Sequence, residues 1–455
     1  MSEYPHILLR AEEKPLEHRS FSPAVIKTLV DAGYPISVER SSTDPKFKRI
    51  FEDSEYEAAG ARLVDTGVWP NAEPGTIILG LKEIPEEDFA LKNDHINQGG
   101  WEKVLGRWSR GGSVLYDLEF LHDSEGRRVS AWSSELELYD RVSKHGRLSS
   151  IFWRSRSEPE FARASLVFDR GGMGFANRLL HRSSTKLMVH EASLRFPVIE
   201  AKRFGFHAGF AGAALGIKTL AHQLQDSSSK LPSVETFTDG RGYYLNEDEL
   251  VNQIREDLAK AEKVLGRKPT ALVLGALGRC GKGAVDLFLK AGMPDENITR
   301  WDLNETKDRD GPYEEIAKAD VFLNAIYLSK PIPPFINQEL LAKQGRNLAV
   351  VIDVSCDTTN PHNPIPIYSI NTTFEEPTVP VEIKDDQNNL PLSVISIDHL
   401  PSMLPREASE AFSEGLKESL LTLKDRETSR VWADAEKLFH EKVSLLPEEL
   451  RTKSV

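Results

Sequence analysis

The chain has 455 residues, more than one compact core usually holds, so two domains are the first expectation. Charged residues make up 28% of it, the mean hydropathy is -0.38 and no apolar run reaches the length of a membrane span, a profile that excludes a membrane partner. The net charge of -13 argues against a nucleic-acid partner, and the two cysteines, Cys280 and Cys356, form no CxxC pair, which excludes a disulfide framework and argues against a zinc site. In chain order, Ile7-Leu8-Leu9 reads as a short buried strand, and Ser22-Pro23 as a helix start with Ser as cap and Pro in the first turn. Val25, Ile26, Leu29 and Val30 then fall at helical spacing, and Gly33 closes the helix. Tyr34 to Val38 is the next strand. Thr76 to Leu81 is a buried strand with Lys82 and Glu83 at its C-terminal end, the end at which open α/β sheets bind ligands.

A second block begins at Phe204. Asn246 with Glu249 reads as a capping box opening a helix, with Leu250, Ile254 and Leu258 on its inner face. The apolar runs at 271–274, 321–323 and 348–352 are spaced as strands of a parallel sheet joined by crossover helices. Ala408, Phe412, Leu416 and Leu420 repeat every fourth residue along one amphipathic helix, and a further helix runs from Trp432 to Phe439. Residues 132–203 fit neither block: they are rich in Ser and Arg and carry excess positive charge in an acidic chain. They read either as a surface insertion or as sequence never selected to fold there.

The strongest chemical signal is Val273-Leu274-Gly275-Ala276-Leu277-Gly278-Arg279-Cys280-Gly281-Lys282-Gly283. It is a glycine-rich turn directly after an apolar strand and before a helical run, the context in which backbone approaches a pyrophosphate at a helix N-terminus. Asp302 follows the next strand at the roughly twenty-residue spacing expected of a ribose-binding carboxylate, and it disfavours a 2'-phosphate. NAD is therefore expected over NADP; the bland alternative is a tight turn and a helix-capping Asp. Arg19, Lys82, Glu83, Glu119, Arg127, Arg128 and Asp398 stand near strand ends, and singly each also reads as a solvated surface residue. Lys82 is singled out because an apolar strand delivers it, which suits an acid–base group. Arg127-Arg128 suits a clamp for substrate carboxylates.

These segments resemble fungal-type NAD-dependent, lysine-forming saccharopine dehydrogenases. The resemblance lies in Leu9 to Arg19, Gly80 to Pro85, Leu115 to Phe120, Gly126 to Val129, Phe204 to Gly212 and Gly275 to Gly281. It continues in Trp301 to Thr306, Asp353 to Pro361 and Ile397 to Ser402, and so covers nearly all of the chain outside residues 132–203. It implies an α/β fold of two Rossmann-like domains, with parallel sheets flanking a central cleft. Residues 1–131 form one domain, completed by helices in 405–455, and residues 204–404 form the NAD-binding domain. The implied reaction converts saccharopine, NAD and water into L-lysine, 2-oxoglutarate and NADH. Hydride leaves the carbon bearing the secondary amine, water attacks the resulting imine and the carbinolamine collapses.

The resemblance further implies that Lys82 is catalytic and that Arg19, Lys82, Arg128, Phe204, Ser355, Cys356 and Asp357 contact substrate. Arg127, Gly278, Arg279, Asp302, Thr306, Tyr327, Val354, Ile397, Asp398, His399 and Leu400 belong to the NAD site, and Glu83, Glu119 and Asp398 tune charge. No metal is implied. The expected partner is the small-molecule substrate alone, with the protein a monomer. The N-terminus lacks a signal-peptide pattern and the C-terminus a Ser-Lys-Leu type address, so a cytoplasmic location is expected, with a peroxisomal one open by family. Two departures stand out. Ala131 and Phe204, adjoining in the family pattern, are separated by the basic interval. The aromatic stretch that carries the family's catalytic His is missing after His95-Ile96, which runs at once into Asn97-Gln98-Gly99-Gly100-Trp101. A translated intron and a misplaced splice junction would produce this pair. The competing readings are an alanine-dehydrogenase-like enzyme and an NAD-binding relative impaired as written.

Overall fold

The computed structural model describes residues 4–81, 95–96, 102–118, 121–122, 129, 204–226, 230–326, 328, 331–356, 362–388 and 390–451. Two six-stranded sheets organise them. The first contains β1 (Ile7–Leu9), β2 (Ile36–Glu39), β3 (Arg62–Val64), β4 (Ile77–Leu79), β5 (His95–Ile96) and β6 (Leu115–Tyr116), all parallel, in the order β3-β2-β1-β4-β5-β6. The three residues of β1 and of β4 are fully buried, as continuous apolar strands covered on both faces must be. The strands at 36–39 and 77–79 begin later than the apolar runs suggest, and β4 stops at Leu79. Helix α1 (Pro23–Asp31) starts as expected: the Ser22 hydroxyl accepts from the Val25 N–H and Pro23 occupies the first turn. Gly33, with φ +103°, then turns the chain into β2.

Helix α2 (Phe204–Gln225), α3 (Glu247–Leu265) and α4 (Arg279–Lys290) cover the second sheet. That sheet contains β7 (Ala271–Leu274), β8 (Ile298–Trp301), β9 (Val321–Asn324), β10 (Val350–Asp353), β11 (Val379–Pro380) and β12 (Ser393–Ile395), in the order β11-β12-β10-β9-β7-β8. Only β11 runs antiparallel there. With β11 set aside, chain order reverses between β7 and β9, and this is the switch point at which a doubly wound sheet takes its ligand. Both sheets are thus Rossmann-like. The capping box expected at α3 is only half present. Asn246 accepts from the Glu249 N–H at 2.9 Å, but the Glu249 carboxylate turns to the Leu245 N–H at 2.7 Å and to Arg241.

Helix α5 (Pro405–Leu421) and α6 (Arg430–Ser444) return to the first sheet. Ala408, Phe412, Leu416, Leu420 and Trp432 share one core with β1, β2 and α1. The hydroxyls of Ser409 and Ser413 accept from the backbone N–H of Ser20 and Ser22 at 3.1 and 2.9 Å, and Arg406 pairs with Glu55 at 2.9 Å.

Candidate active site

The glycine turn after β7 closes on itself. Gly275 has φ +87°, where only glycine is unstrained, and a Cβ on Gly281 would lie 2.2 Å from the Gly275 carbonyl oxygen. Gly278 caps α4 with no side chain contributing a hydrogen bond, so the helix end is left open to an anionic phosphate. Arg279 is the first residue of that helix. The backbone N–H groups of Gly275 and Ala276 donate to Trp301 O at 2.8 and 2.9 Å, which binds the turn to the end of β8.

Asp302 follows β8. Its Oδ2 accepts from the Leu277 N–H at 3.1 Å, while its Oδ1 caps the short helix Leu303–Thr306 through the Leu303 N–H at 2.8 Å. Asp302 is thus a helix cap that also faces the glycine turn. Thr306 donates to Asp302 O at 3.2 Å. A glycine turn, an open helix N-terminus and a half-buried carboxylate at the neighbouring strand end fit an adenine dinucleotide with a free ribose 2'-hydroxyl.

In the first sheet the residues around Arg19 form a small charged depression lined by Glu12, Glu17, Arg19, Ser41 and Arg49. Arg19 is buried, and its Nε and Nη2 donate as a fork to Glu17 at 2.7 and 2.6 Å. Arg49 is held by Asp53 at 2.7 Å and by Glu39 O at 3.1 Å. Glu12 accepts from the Leu81 N–H at 2.6 Å, and Arg10 packs so closely that a Cβ on Gly80 would lie 2.4 Å from its Nε. These contacts fix the exit of β4 just before Lys82. Burial pushes the Glu39 carboxyl up, against the backbone N–H groups of Ala11, Trp69 and Gly67 and the charge of Arg10, which pull it down.

Lys82, Glu83, Glu119, Arg127, Arg128, Tyr327 and Asp357 lie outside the described residues. Phe204 opens α2. Ser355 and Cys356 follow β10, where the Ser355 hydroxyl donates to Asp353 at 2.6 Å and Cys356 is buried in a left-handed conformation at φ +49°. The Val354 N–H donates to Asn324 O at 3.0 Å, which joins the ends of β9 and β10. Asp398 is exposed and pairs with His399 at 2.8 Å, while Ile397 and Leu400 are buried in the core, so a ligand would meet those two only through their backbone. Cys280 and Cys356 are both buried and form no disulfide. Glu12, Glu17, Asn324, Asp353 and Tyr368 have no role assigned from the sequence, although Glu12, Glu17 and Asp353 lie within segments that carry the family resemblance. Asp353, last residue of an apolar strand, offered the nearest thing to a signal.

Residues 8–138 match the family model described as alanine dehydrogenase/PNT, N-terminal domain. The chain is 46% identical over 444 residues to a Yarrowia lipolytica protein named saccharopine dehydrogenase (NAD(+), L-lysine-forming), covering 96% of each. Relatives of the same name are 45% identical in Emericella nidulans, over 97% of this chain and 98% of the relative, and 42% identical in Schizosaccharomyces pombe, over 97% and 99%. A solved L-alanine dehydrogenase shares the fold, with a TM-score of 0.53 at 12% identity over 96% of this chain and 99% of the other. Kinship along nearly the whole length, on a fold with a dinucleotide turn in its second sheet, has one reading: the chain belongs to the NAD-dependent, L-lysine-forming saccharopine dehydrogenase family.

Proposed function

We propose that this protein cleaves saccharopine oxidatively, with NAD and water, to L-lysine and 2-oxoglutarate, the last step of the alpha-aminoadipate route to lysine. The observation that carries this reading is the glycine turn tied to Asp302, in a chain that aligns from end to end with relatives named for that reaction. When bound, NAD supplies the hydride acceptor. Asp302 receives the ribose hydroxyls and repels a 2'-phosphate. The N-terminus of α4, with Gly278 and Arg279, favours the pyrophosphate charge. Thr306, Val354, Tyr327, Arg127 and the 397–400 backbone complete the cofactor site.

Arg19, oriented by Glu17, and Arg128 take substrate carboxylates, with Phe204 and the turn at Ser355, Cys356 and Asp357 beside them. Lys82 moves the proton at the substrate's secondary amine, with Glu83, Glu119 and Asp398 setting the charge around it. The protein works as a cytoplasmic monomer. Its first domain is 1–131 completed by 405–455, and its second is 204–404. An alanine-dehydrogenase-like activity is not favoured, since that likeness is a family model over residues 8–138 and a shared fold at 12% identity, whereas the relatives named for saccharopine align along nearly the whole chain.

Residues 132–203 are best read as a translated intron, and the missing His stretch as a misplaced splice junction. Transcript reads running continuously through codons 132–203 would count against this. One observation favours a second reading: His95-Ile96 runs directly into Asn97, so the chain as written lacks the family's His. It should therefore bind NAD but turn over saccharopine slowly, by on the order of a hundred- to ten-thousand-fold, the usual cost of losing a general acid–base group. An NADH-forming assay with saccharopine, run on this chain and on one with the His stretch restored and 132–203 removed, tests both readings. Comparable rates would mean that neither departure matters. A repaired chain without activity would remove the proposed function.

A further inference from the structure

At the C-terminal ends of β9 and β10 one carboxylate gathers donors from three separate segments. Asp353 is 1% exposed. It accepts from Asn324 Nδ2 at 2.9 Å, the Ser355 N–H at 3.1 Å, the Ser355 hydroxyl at 2.6 Å and the Tyr368 hydroxyl at 2.7 Å. Asn324 Nδ2 also reaches Ser355 Oγ at 3.3 Å and Ile326 O at 3.1 Å, and Cys356 Sγ donates to Asp353 O at 3.0 Å. A buried network with its members satisfied is stiff. What it stiffens is a turn containing Cys356 at φ +49°, a conformation a non-glycine residue holds only when its surroundings impose it. Burial and the Asp353 charge push the Tyr368 phenol well above its ordinary value, so its hydroxyl stays protonated and able to donate.

The place of this network in the sheet gives it a purpose. The order β10-β9-β7-β8 puts Asp302 after β8, the glycine turn after β7, Asn324 at the end of β9 and Asp353 at the end of β10. Three inter-strand steps of roughly 4.8 Å carry from β8 to β10, comparable to the reach of an extended dinucleotide. If the adenosine ribose meets Asp302 and the pyrophosphate meets α4, the remaining half of the cofactor points toward β9 and β10.

We propose that Asp353 is a positioning residue for the nicotinamide ring of the dinucleotide, acting through the Ser355–Cys356 turn that it clamps. The inference rests on NAD being the cofactor. A purely structural Asp353 would weaken or preserve both halves of the site together; a positioning Asp353 distinguishes them. The experiment is calorimetric titration of the intact chain with NADH and, separately, with ADP-ribose, which keeps the adenosine, both phosphates and the second ribose and lacks only the nicotinamide ring. Asp353→Ala removes both acceptor oxygens, Asp353→Asn keeps one, and Tyr368→Phe removes one donor. The NADH Kd is expected to rise about tenfold in Asp353→Ala and about threefold in Asp353→Asn and Tyr368→Phe, while the ADP-ribose Kd stays within about twofold. ADP-ribose weakened in step with NADH, or NADH binding unchanged, overturns the proposal. Should Asp353→Ala fail to fold, the two milder variants make the same comparison. A wild-type chain that binds neither ligand removes the cofactor reading and this proposal with it, whereas one that binds both isolates the failure to Asp353.

Discussion

Asp302 uses its two carboxylate oxygens for different ends, one on the Leu303 N–H and one on the Leu277 N–H. Losing the cap alone costs about 1 kcal/mol of stability, so Asp302→Ala should be compared with the wild type well below the melting temperature. The wild type should prefer NAD to NADP, and Asp302→Ala should weaken NAD by about tenfold while narrowing that preference, since hydrogen bonds to a charged group and its repulsion of a 2'-phosphate go together. Titration of both cofactors checks this; equal affinities in the wild type, or NAD unaffected by the substitution, would sink it. The contact between Asp302 and the glycine turn was legible in the sequence because it is local: a strand, a glycine turn and a carboxylate at fixed spacing. Asp353 was not, because its partners Asn324 and Tyr368 stand 29 and 15 residues away and only the fold joins them. Arg19 stood out in the sequence only as one of several polar residues near strand ends, and its substrate contact is what the family resemblance implies. Its fork with Glu17, two residues away, uses residue types that elsewhere lie in solvent.

At the scale of elements, α2 is a long helix that the apolar periodicity did not announce. Gly205, Gly209, Gly212 and Gly216 discourage a helical reading, since each glycine costs about 1 kcal/mol against alanine in a helix interior. Their spacing of four, three and four residues puts them on one face, and that face meets backbone and core at close range. A Cβ on Gly209 would lie 1.7 Å from Cys280 O, one on Gly283 1.9 Å from Phe206 O, and one on Gly216 2.6 Å from Ile352 Cδ1. The glycines allow α2 and α4 to touch through their backbones, and this fixes the helix whose N-terminus closes the dinucleotide turn. Gly209→Ala should therefore destabilise by about 3 kcal/mol or more, as overpacking against backbone does, and weaken NADH binding with it. Gly205→Ala tests the explanation, because its Cβ would find its nearest neighbour at 3.4 Å, an ordinary contact. Denaturant melts of the two variants should differ clearly; a Gly209→Ala variant as stable as Gly205→Ala would mean that close approach does not explain these glycines.

At the scale of the molecule, alternating strands and helices foretold a parallel α/β arrangement, but two sheets, and the return of the C-terminal helices to the first, were implied by the family resemblance and not by periodicity. That return depends on contacts such as Ser20 to Ser409, 389 residues apart. The chain passes from the second sheet to α5 through residues 400–403, and there the two halves are pinned. Tyr244 N–H donates to Met403 O at 2.9 Å, His18 and Tyr243 rings stand 4.4 Å apart, and Glu407 in the first turn of α5 accepts from the Glu247 N–H, at the start of α3, at 2.7 Å. Glu407 Oε2 is buried with no hydrogen-bond partner among the described residues. Burial first, then the Glu410 and Glu247 charges, push this carboxyl above its ordinary value, against the backbone N–H groups of Glu407 itself and Glu247. A carboxyl raised on folding binds its proton more tightly in the native state than in the unfolded one. Its contribution to stability is therefore full below the ordinary value of 4.5 and is lost as pH rises through the folded value. Glu407→Gln keeps an oxygen for the Glu247 N–H and removes the charge. The variant should melt roughly 2 °C above the wild type near neutral pH, with the gain shrinking toward zero as pH falls to the ordinary value of 4.5. Thermal melts of both proteins across that range decide the matter. A gain that grows as the solution is acidified, or a variant less stable at neutral pH, would mean that Glu407 is needed there as a carboxylate, held by a partner that outweighs its burial.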